Sequence, residues 1–496
     1  MAAVNRPVAL AEPEVCPENP GHALGVELKK STRRPIPDRE QFPSIGGRMR
    51  RFGKLENARK RLCKGLGFVI LLSIFGGVFG TAAASVRKEA QGGQIDLADW
   101  GGTPTLNLYG DWQFAAQELL TPADYVDQVH KGRRFSMIRM GQSLVEGDPQ
   151  ANQRKTLYGT YILRLGHIPA DTLYGLRGIV AYVSARIFFF PISGGGSLQP
   201  VRELGFVTDD PKQARSAMSD NEVIPIMSKA AGEYVLLIQV ANHHSGWGGL
   251  WYPPSIAALP LLMQEASQEE KANYLVFGIM IFLCFSNFML YLYRREDKGS
   301  LYLAQICLTL LTRTWVLDHY GMDYFGDGYW GVQLSFKLTY LTLFTLPWSA
   351  YYSAQDFFPK HTAPWVGRCI SLACGLCSLV VIFTPSTFYT SFATFFFVFG
   401  IALGSISAYI AARAVLAREE GARIVIFGVG CVLIGAIVEL LNATNFISFG
   451  RNAMTFGMTA YAACLSQIIS TRFARTFRQA EHLSQKLRTM CRRSKA

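Results

Sequence analysis

Charge is scarce in this chain. Only 17% of the 496 residues are Asp, Glu, Lys or Arg, where a soluble domain carries about a quarter. Half of the residues are hydrophobic, and mean hydropathy is +0.17. That balance excludes an ordinary water-soluble cytosolic enzyme. Cysteine is missing from residues 87 to 270, so no disulfide framework holds that stretch. The chain also lacks a Walker loop, a GxSxG elbow, an HExxH pair and the kinase signature set. No catalytic residue, cofactor or metal is therefore expected.

Net charge is nearly absent from the middle, where acidic and basic residues balance. The net charge of +13 belongs to the two ends. Residues 1–65 hold 14 Lys and Arg against 7 Asp and Glu, and residues 472–496 hold 8 against 1. A basic patch along a folded domain, as nucleic-acid binding needs, is not what this distribution describes. Residues 1–48 are rich in Pro and charge without apolar periodicity, which predicts a disordered segment. Residues 49–86 follow a basic start with an uncharged run ending in Ala82, Ala83 and Ala84. They read as a cleaved signal peptide if Met49 is the start, or as a signal-anchor helix if Met1 is.

Residues 98–265 have a different texture. Apolar, β-branched and aromatic segments at 105–108, 112–115, 160–165, 183–190 and 234–240 are separated by Gly, Pro, Asp and Asn clusters. Short strands of that kind predict an all-β, two-sheet sandwich of jelly-roll type. From residue 272 the chain becomes seven apolar runs, at 272–293, 300–319, 331–354, 365–384, 389–412, 422–441 and 452–471. Each approaches the ~20 residues that a helix needs to cross a bilayer. With residue 271 outside, inner connections carry Arg294, Arg295, Lys298, Lys360, Arg413, Arg418 and Arg423, whereas the outer ones carry only Arg451. The excess of basic residues on one side places 87–271 outside and the C-terminus in the cytoplasm. Residues 472–496 continue the last helix as a basic cytoplasmic tail. Ala480, Leu483, Leu487 and Met490 follow 3-4-3 spacing, as in a short coiled coil between two copies or a basic amphipathic helix on anionic lipid.

Three segments carry a family likeness: Leu108-Tyr-Gly-Asp-Trp112-Gln-Phe114, Gly159-Thr-Tyr161-Ile-Leu-Arg-Leu165, and Gln239-Val-Ala-Asn242-His243-His244-Ser-Gly246-Trp247-Gly-Gly249. Followed by seven helices, this order resembles the bacterial seven-transmembrane receptors with diverse intracellular signalling modules, over residues 98–475. The resemblance implies a galactose-binding-like jelly-roll sensor outside the bacterial inner membrane. It departs from the family at 190–196, where Phe-Pro-Ile-Ser-Gly-Gly-Gly stands in place of an Asn-Gly turn. It departs again after the seventh helix, where 25 residues leave no room for a catalytic output domain.

Two groups of residues are candidates for function. Asn242, His243, His244, Trp247 and Trp251 combine aromatic faces with amide and imidazole groups, a chemistry that suits a saccharide ring. The two tryptophans equally suit packing onto the bilayer interface. Adjacent histidines point to opposite sides of an extended chain, so a metal there needs remote ligands. Arg313, Lys337 and Glu439 are costly inside a membrane and count toward the outer ends of their helices, near Asp318. They are candidates for coupling, with Arg313 the favoured partner of Glu439, or for static ion pairing.

The function expected is a sensory receptor that passes the state of the sandwich through the helices to a cytoplasmic signalling protein in trans. The alternatives are a carbohydrate-binding envelope scaffold for a polysaccharide synthase and a transporter. The partners expected are the lipid bilayer, a saccharide or other small ligand, and a second copy, but no nucleic acid.

Overall fold

A computed structural model describes residues 88–493 except 142–143, 145–157, 179–183, 194–198, 212, 214, 216–221, 244–248, 251–252, 318–328 and 444–452. The expectations for residues 1–48 and 49–86 lie outside the described residues.

Among the described residues, eleven strands form the first half: β1 (Gln94–Asp96), β2 (Leu106–Asn107), β3 (Asp111–Ala116), β4 (Ser136–Arg139), β5 (Tyr158–Ile168), β6 (Thr172–Arg177), β7 (Ser184–Pro191), β8 (Arg202–Leu204), β9 (Ile224–Ser228), β10 (Gly232–Ala241) and β11 (Ser255–Ala258). A seven-stranded sheet runs β4-β3-β5-β10-β7-β8, with β1 parallel to β5 on the edge that β3 also uses. A four-stranded sheet runs β2-β11-β6-β9. Alternation along each strand assigns its side chains to a layer. Tyr161, Leu163 and Leu165 of β5 and Leu236, Ile238 and Val240 of β10 point between the sheets, where they meet Trp112, Phe114, Tyr174, Leu176 and Ile256. Their neighbours Ile162, Val235 and Leu237 point to the opposite face. There they are covered by α1 (Pro122–His130), whose Tyr125 is fully buried. A capping box starts α1: Thr121 accepts from the Asp124 N–H, and Asp124 accepts from the Thr121 N–H. The larger sheet is thus buried on both faces at its centre, which explains strands that are apolar on successive residues.

Strand β11 passes directly into α2 (Leu259–Tyr293), a helix of 35 residues. It begins 13 residues before the expected apolar run, because its first turns pack on the sandwich rather than in lipid. Residues 259–265, expected as the end of the sandwich domain, are accordingly helical. The other long helices are α3 (Lys298–Leu317), α4 (Tyr329–Phe357), α5 (Pro364–Phe383), α7 (Ala393–Leu416), α8 (Ala422–Ala443) and α9 (Ala453–Arg493). A 3₁₀ turn, Pro359–His361, precedes α5, and the short α6 (Ser386–Thr390) follows it. Among the described residues, three helices are long and apolar enough to cross a membrane: α2, α5 and α7.

The helical half is apolar on both its inside and its outside. Leu303, Ile306, Phe336, Phe344, Ile370, Phe396 and Leu465 form its core. Phe282, Phe285, Leu372, Leu376, Val398 and Ile401 each expose more than half of their surface. So much outward apolar surface suits a hydrocarbon solvent, not water. Helices α8 and α9 meet backbone to backbone. A Cβ on Gly435 would lie 2.6 Å from the Ala453 carbonyl oxygen, and one on Gly457 would lie 2.5 Å from that of Cys431. Small residues permit that approach, the usual device for packing helices in lipid.

Candidate functional site

At the end of β10, Asn242 is buried and His243 places Nε2 3.0 Å from the Thr208 carbonyl oxygen. The His243 Nδ1 is buried without a hydrogen-bond partner. The structure therefore sets Asn242 and His243 beside the turn that follows β8. His244, Trp247 and Trp251 lie outside the described residues, so the geometry of the full candidate loop is not defined. No group of three or more metal-ligating side chains occurs among the described residues.

The intramembrane candidates are placed separately. Arg313 is half-buried on α3. Lys337 on α4 donates through Nζ to the Ile382 carbonyl at 2.7 Å, near the C-terminal end of α5. A cation suits that end, where helix carbonyls lack intrahelical donors. One turn away, Gln333 donates to the Ser386 hydroxyl at 2.5 Å and accepts from the Ser386 N–H at 3.0 Å. Lys337 and Gln333 together tie α4 to the α5–α6 corner. The Glu439 side chain lies outside the described residues, and with it the expected pairing to Arg313.

Two further constellations have no short-range signature. The first is the junction between sandwich and helices. Tyr174 and Leu176 of β6 point into the sandwich core, so Gly175 and Arg177 face outward. The first turns of α2 lie over this outer face. A Cβ on Gly175 would come within 3.0 Å of Leu262 and 3.3 Å of Leu259, so only glycine lets the helix pack this closely. Further along the same stripe, Thr105 donates to both carboxylate oxygens of Glu265, at 2.9 and 3.0 Å. Arg177 Nη2 contacts Glu269 Oε2 at 2.5 Å, with the two side chains 5% and 26% exposed. Positions 259, 262, 265 and 269 fall on one side of a helix, and all four lie against the smaller sheet or the loop before β2.

Burial pushes the Glu265 carboxyl above its ordinary value, opposed by the Thr105 hydrogen bond and the nearby Arg177. Such a group binds its proton more tightly in the folded state. Its contribution to stability is full below the unfolded value and is lost as pH rises through the folded one. The thermal midpoint of the purified protein should accordingly decline as pH is raised upward from 4.5, the ordinary glutamate value. Glu265→Gln, which mimics the protonated state, should flatten that part of the profile, and an unchanged profile would exclude Glu265 as its source.

The second constellation lies where α9 leaves the other helices. Arg472 donates to the Phe357 carbonyl at 2.7 Å, sits 3.5 Å from Asp356 Oδ2 and covers the Phe357 ring at 4.8 Å. Arg475, nearly one turn on, pairs with Glu420 between α7 and α8. From Ser470 to Leu487 every residue of α9 is exposed. The two arginines therefore fix the base of this exposed segment to two different connections.

Comparison with known proteins bears on the helical half. No curated protein matches the chain. Two solved structures of a GH2 beta-galacturonidase from Eisenbergiella tayi, one bound to galacturonate and one to glycerol, align with 12% and 11% identity and a TM-score of 0.21. Each alignment covers 31% of this chain and 24% of the enzyme, so the chain spans about a quarter of those proteins. A likeness that slight says nothing about a ligand. Residues 269–472 match the model of the 7TM diverse intracellular signalling family. The match starts at Glu269, the residue that grips Arg177 of the sandwich. With its apolar helices and outward apolar surface, the chain is a membrane protein whose residues 269–472 are similar to the 7TM diverse intracellular signalling family.

Proposed function

We propose that this protein is a transmembrane sensory receptor of the bacterial inner membrane. In this reading the β-sandwich is a jelly-roll sensor on the outer side, and seven spans carry its state inward. The exposed part of α9 then presents that state to a separate cytoplasmic signalling protein. The observation that carries the reading is the continuity of α2. One helix is held to the sandwich by Leu262, Glu265 and Glu269 and runs on without a break into the apolar core through Val276, Met280 and Leu283. A movement of the smaller sheet is thereby a movement of the first membrane helix.

The ligand end is the loop of Asn242, His243, His244, Trp247 and Trp251. Its aromatic and amide groups suit a saccharide or a similar polyhydroxylated molecule. Coupling within the membrane involves Lys337, through its grip on α5, together with Arg313 and Glu439.

Topology is the direct test. Reporter fusions after Asp210 and Asp327 should be active only outside the membrane, and fusions after Lys298 and Ser494 only inside. Deleting residues 479–496 should leave insertion intact and abolish signalling. A cytoplasmic Asp210 fusion, or full signalling by the truncated chain, would overturn the receptor reading.

A further inference from the structure

We infer that the exposed part of α9 pairs in parallel with the same segment of a second copy of this chain. The inference rests on the reading of α9 as the inner end of a membrane receptor, and it names one partner of that end. Phe473, Phe477, Leu483, Leu487 and Met490 expose between 43% and 67% of their surface. In a heptad with Phe473 at a, the a and d positions are Phe473, Thr476, Ala480, Leu483, Leu487 and Met490. None is charged. Arg475, Arg478, Arg488 and Arg492 fall at c, f, b and f, away from that seam.

The positions beside the seam separate a second copy from other occupants. In a parallel pair each g residue faces the e residue five places on in its partner. Here the pairs are Arg472 with Phe477, Gln479 with Ser484, and Lys486 with Cys491. No two like charges meet, although the segment as a whole is strongly basic, so its charge does not oppose self-association along this face. A lipid surface fits less well. To lie on a bilayer the helix must bend where it leaves the bundle, but α9 is unbroken through Arg493 and has neither Gly nor Pro after Gly457. Its base is also fixed by Arg472 and Arg475. From Phe473 onward it extends roughly 30 Å.

About three heptads form a marginal coil in free solution. Two copies in one membrane share orientation and depth, so their segments meet already parallel and in register at high effective concentration. That confinement supplies what the short seam lacks.

Disulfide trapping tests this in membrane vesicles containing the full chain with Cys491→Ser as parent. Single cysteines are introduced at the seam, by Leu483→Cys or Leu487→Cys, and on the outer face, by Arg478→Cys or Gln485→Cys. All four sites are exposed on the helix, so the substitutions spare the fold. Seam variants should form cross-linked dimers about tenfold faster than outer-face variants, because only seam Cβ atoms approach disulfide range. Equal rates at the four sites, or no dimer from either seam variant, would overturn the proposal. So would quenching of a label at Leu483→Cys by a lipid-soluble rather than an aqueous quencher, which places the face in the bilayer. The Ser494 reporter checks the receptor reading separately, since its outcome does not depend on whether the segments pair.

Discussion

Glu269→Leu should destabilise the protein by about 3–5 kcal/mol, the usual cost of removing one partner from a buried ion pair. Arg177 is only 5% exposed, and its guanidinium contacts Glu269 at 2.5 Å. Without that carboxylate the cation stays in the interface with less compensation than its burial needs. Arg177→Leu with Glu269→Leu should recover most of the loss, because a matched apolar pair often replaces a buried ion pair at little cost. The measurement is the urea midpoint of the detergent-solubilised protein for both single variants and the double. Additive losses would mean that the two residues act independently and that the junction does not rest on their pairing.

Trp112→Ala should cost about 3–5 kcal/mol by the same measurement, since the residue is completely buried at the centre of the sandwich core. The loss has two separable parts. The indole fills volume between the sheets, and its Nε1 donates to the Leu108 carbonyl at 3.0 Å. Trp112→Phe keeps much of the volume and removes the donor, so it should cost about 1–3 kcal/mol from the unsatisfied carbonyl. If the alanine variant lost less than the phenylalanine variant, the account of this core would fail.

The strands were legible wherever apolar residues alternated or clustered between turn residues. The segments expected at 160–165 and 234–240 are the centres of β5 and β10, which the structure extends to Tyr158–Ile168 and Gly232–Ala241. The long helices were legible from apolar runs alone. The first turns of α2 were not, because Gln264, Glu265, Gln268, Glu269 and Glu270 look like a solvated connection. Glu265 and Glu269 find their partners 160 and 92 positions away in sequence, and no local pattern announces such a pairing. Helix α1 did carry a readable signal, Thr121-Pro-Ala-Asp124, a cap with proline at the first position and an acidic third residue.

The site divides along the same line. Asn242 and His243 stood out by residue type, but the carbonyl of Thr208 that receives His243 has no side-chain signature. Lys337 was visible as a charge in an apolar run, whereas its acceptor is the backbone of another helix. In the tail, Arg472 and Arg475 looked like the other basic residues. Tertiary structure alone gives them Phe357, Asp356 and Glu420 as partners.

The length of α2 has a mechanical consequence. Its 35 residues span roughly 52 Å, of which about 20 Å lie against the smaller sheet and the remainder runs inward from there. A rod gripped at one end amplifies rotation at the other. Tilting the gripped end by about 5° swings the far end at Tyr293 sideways by about 3 Å over the remaining ~32 Å. That is comparable to the helix shifts by which signalling proteins switch. The sandwich therefore does not have to rearrange its strands to displace the far end of α2. A few tenths of an ångström between Arg177 and Thr105, the two points that hold Glu269 and Glu265, set an angle whose effect grows with depth.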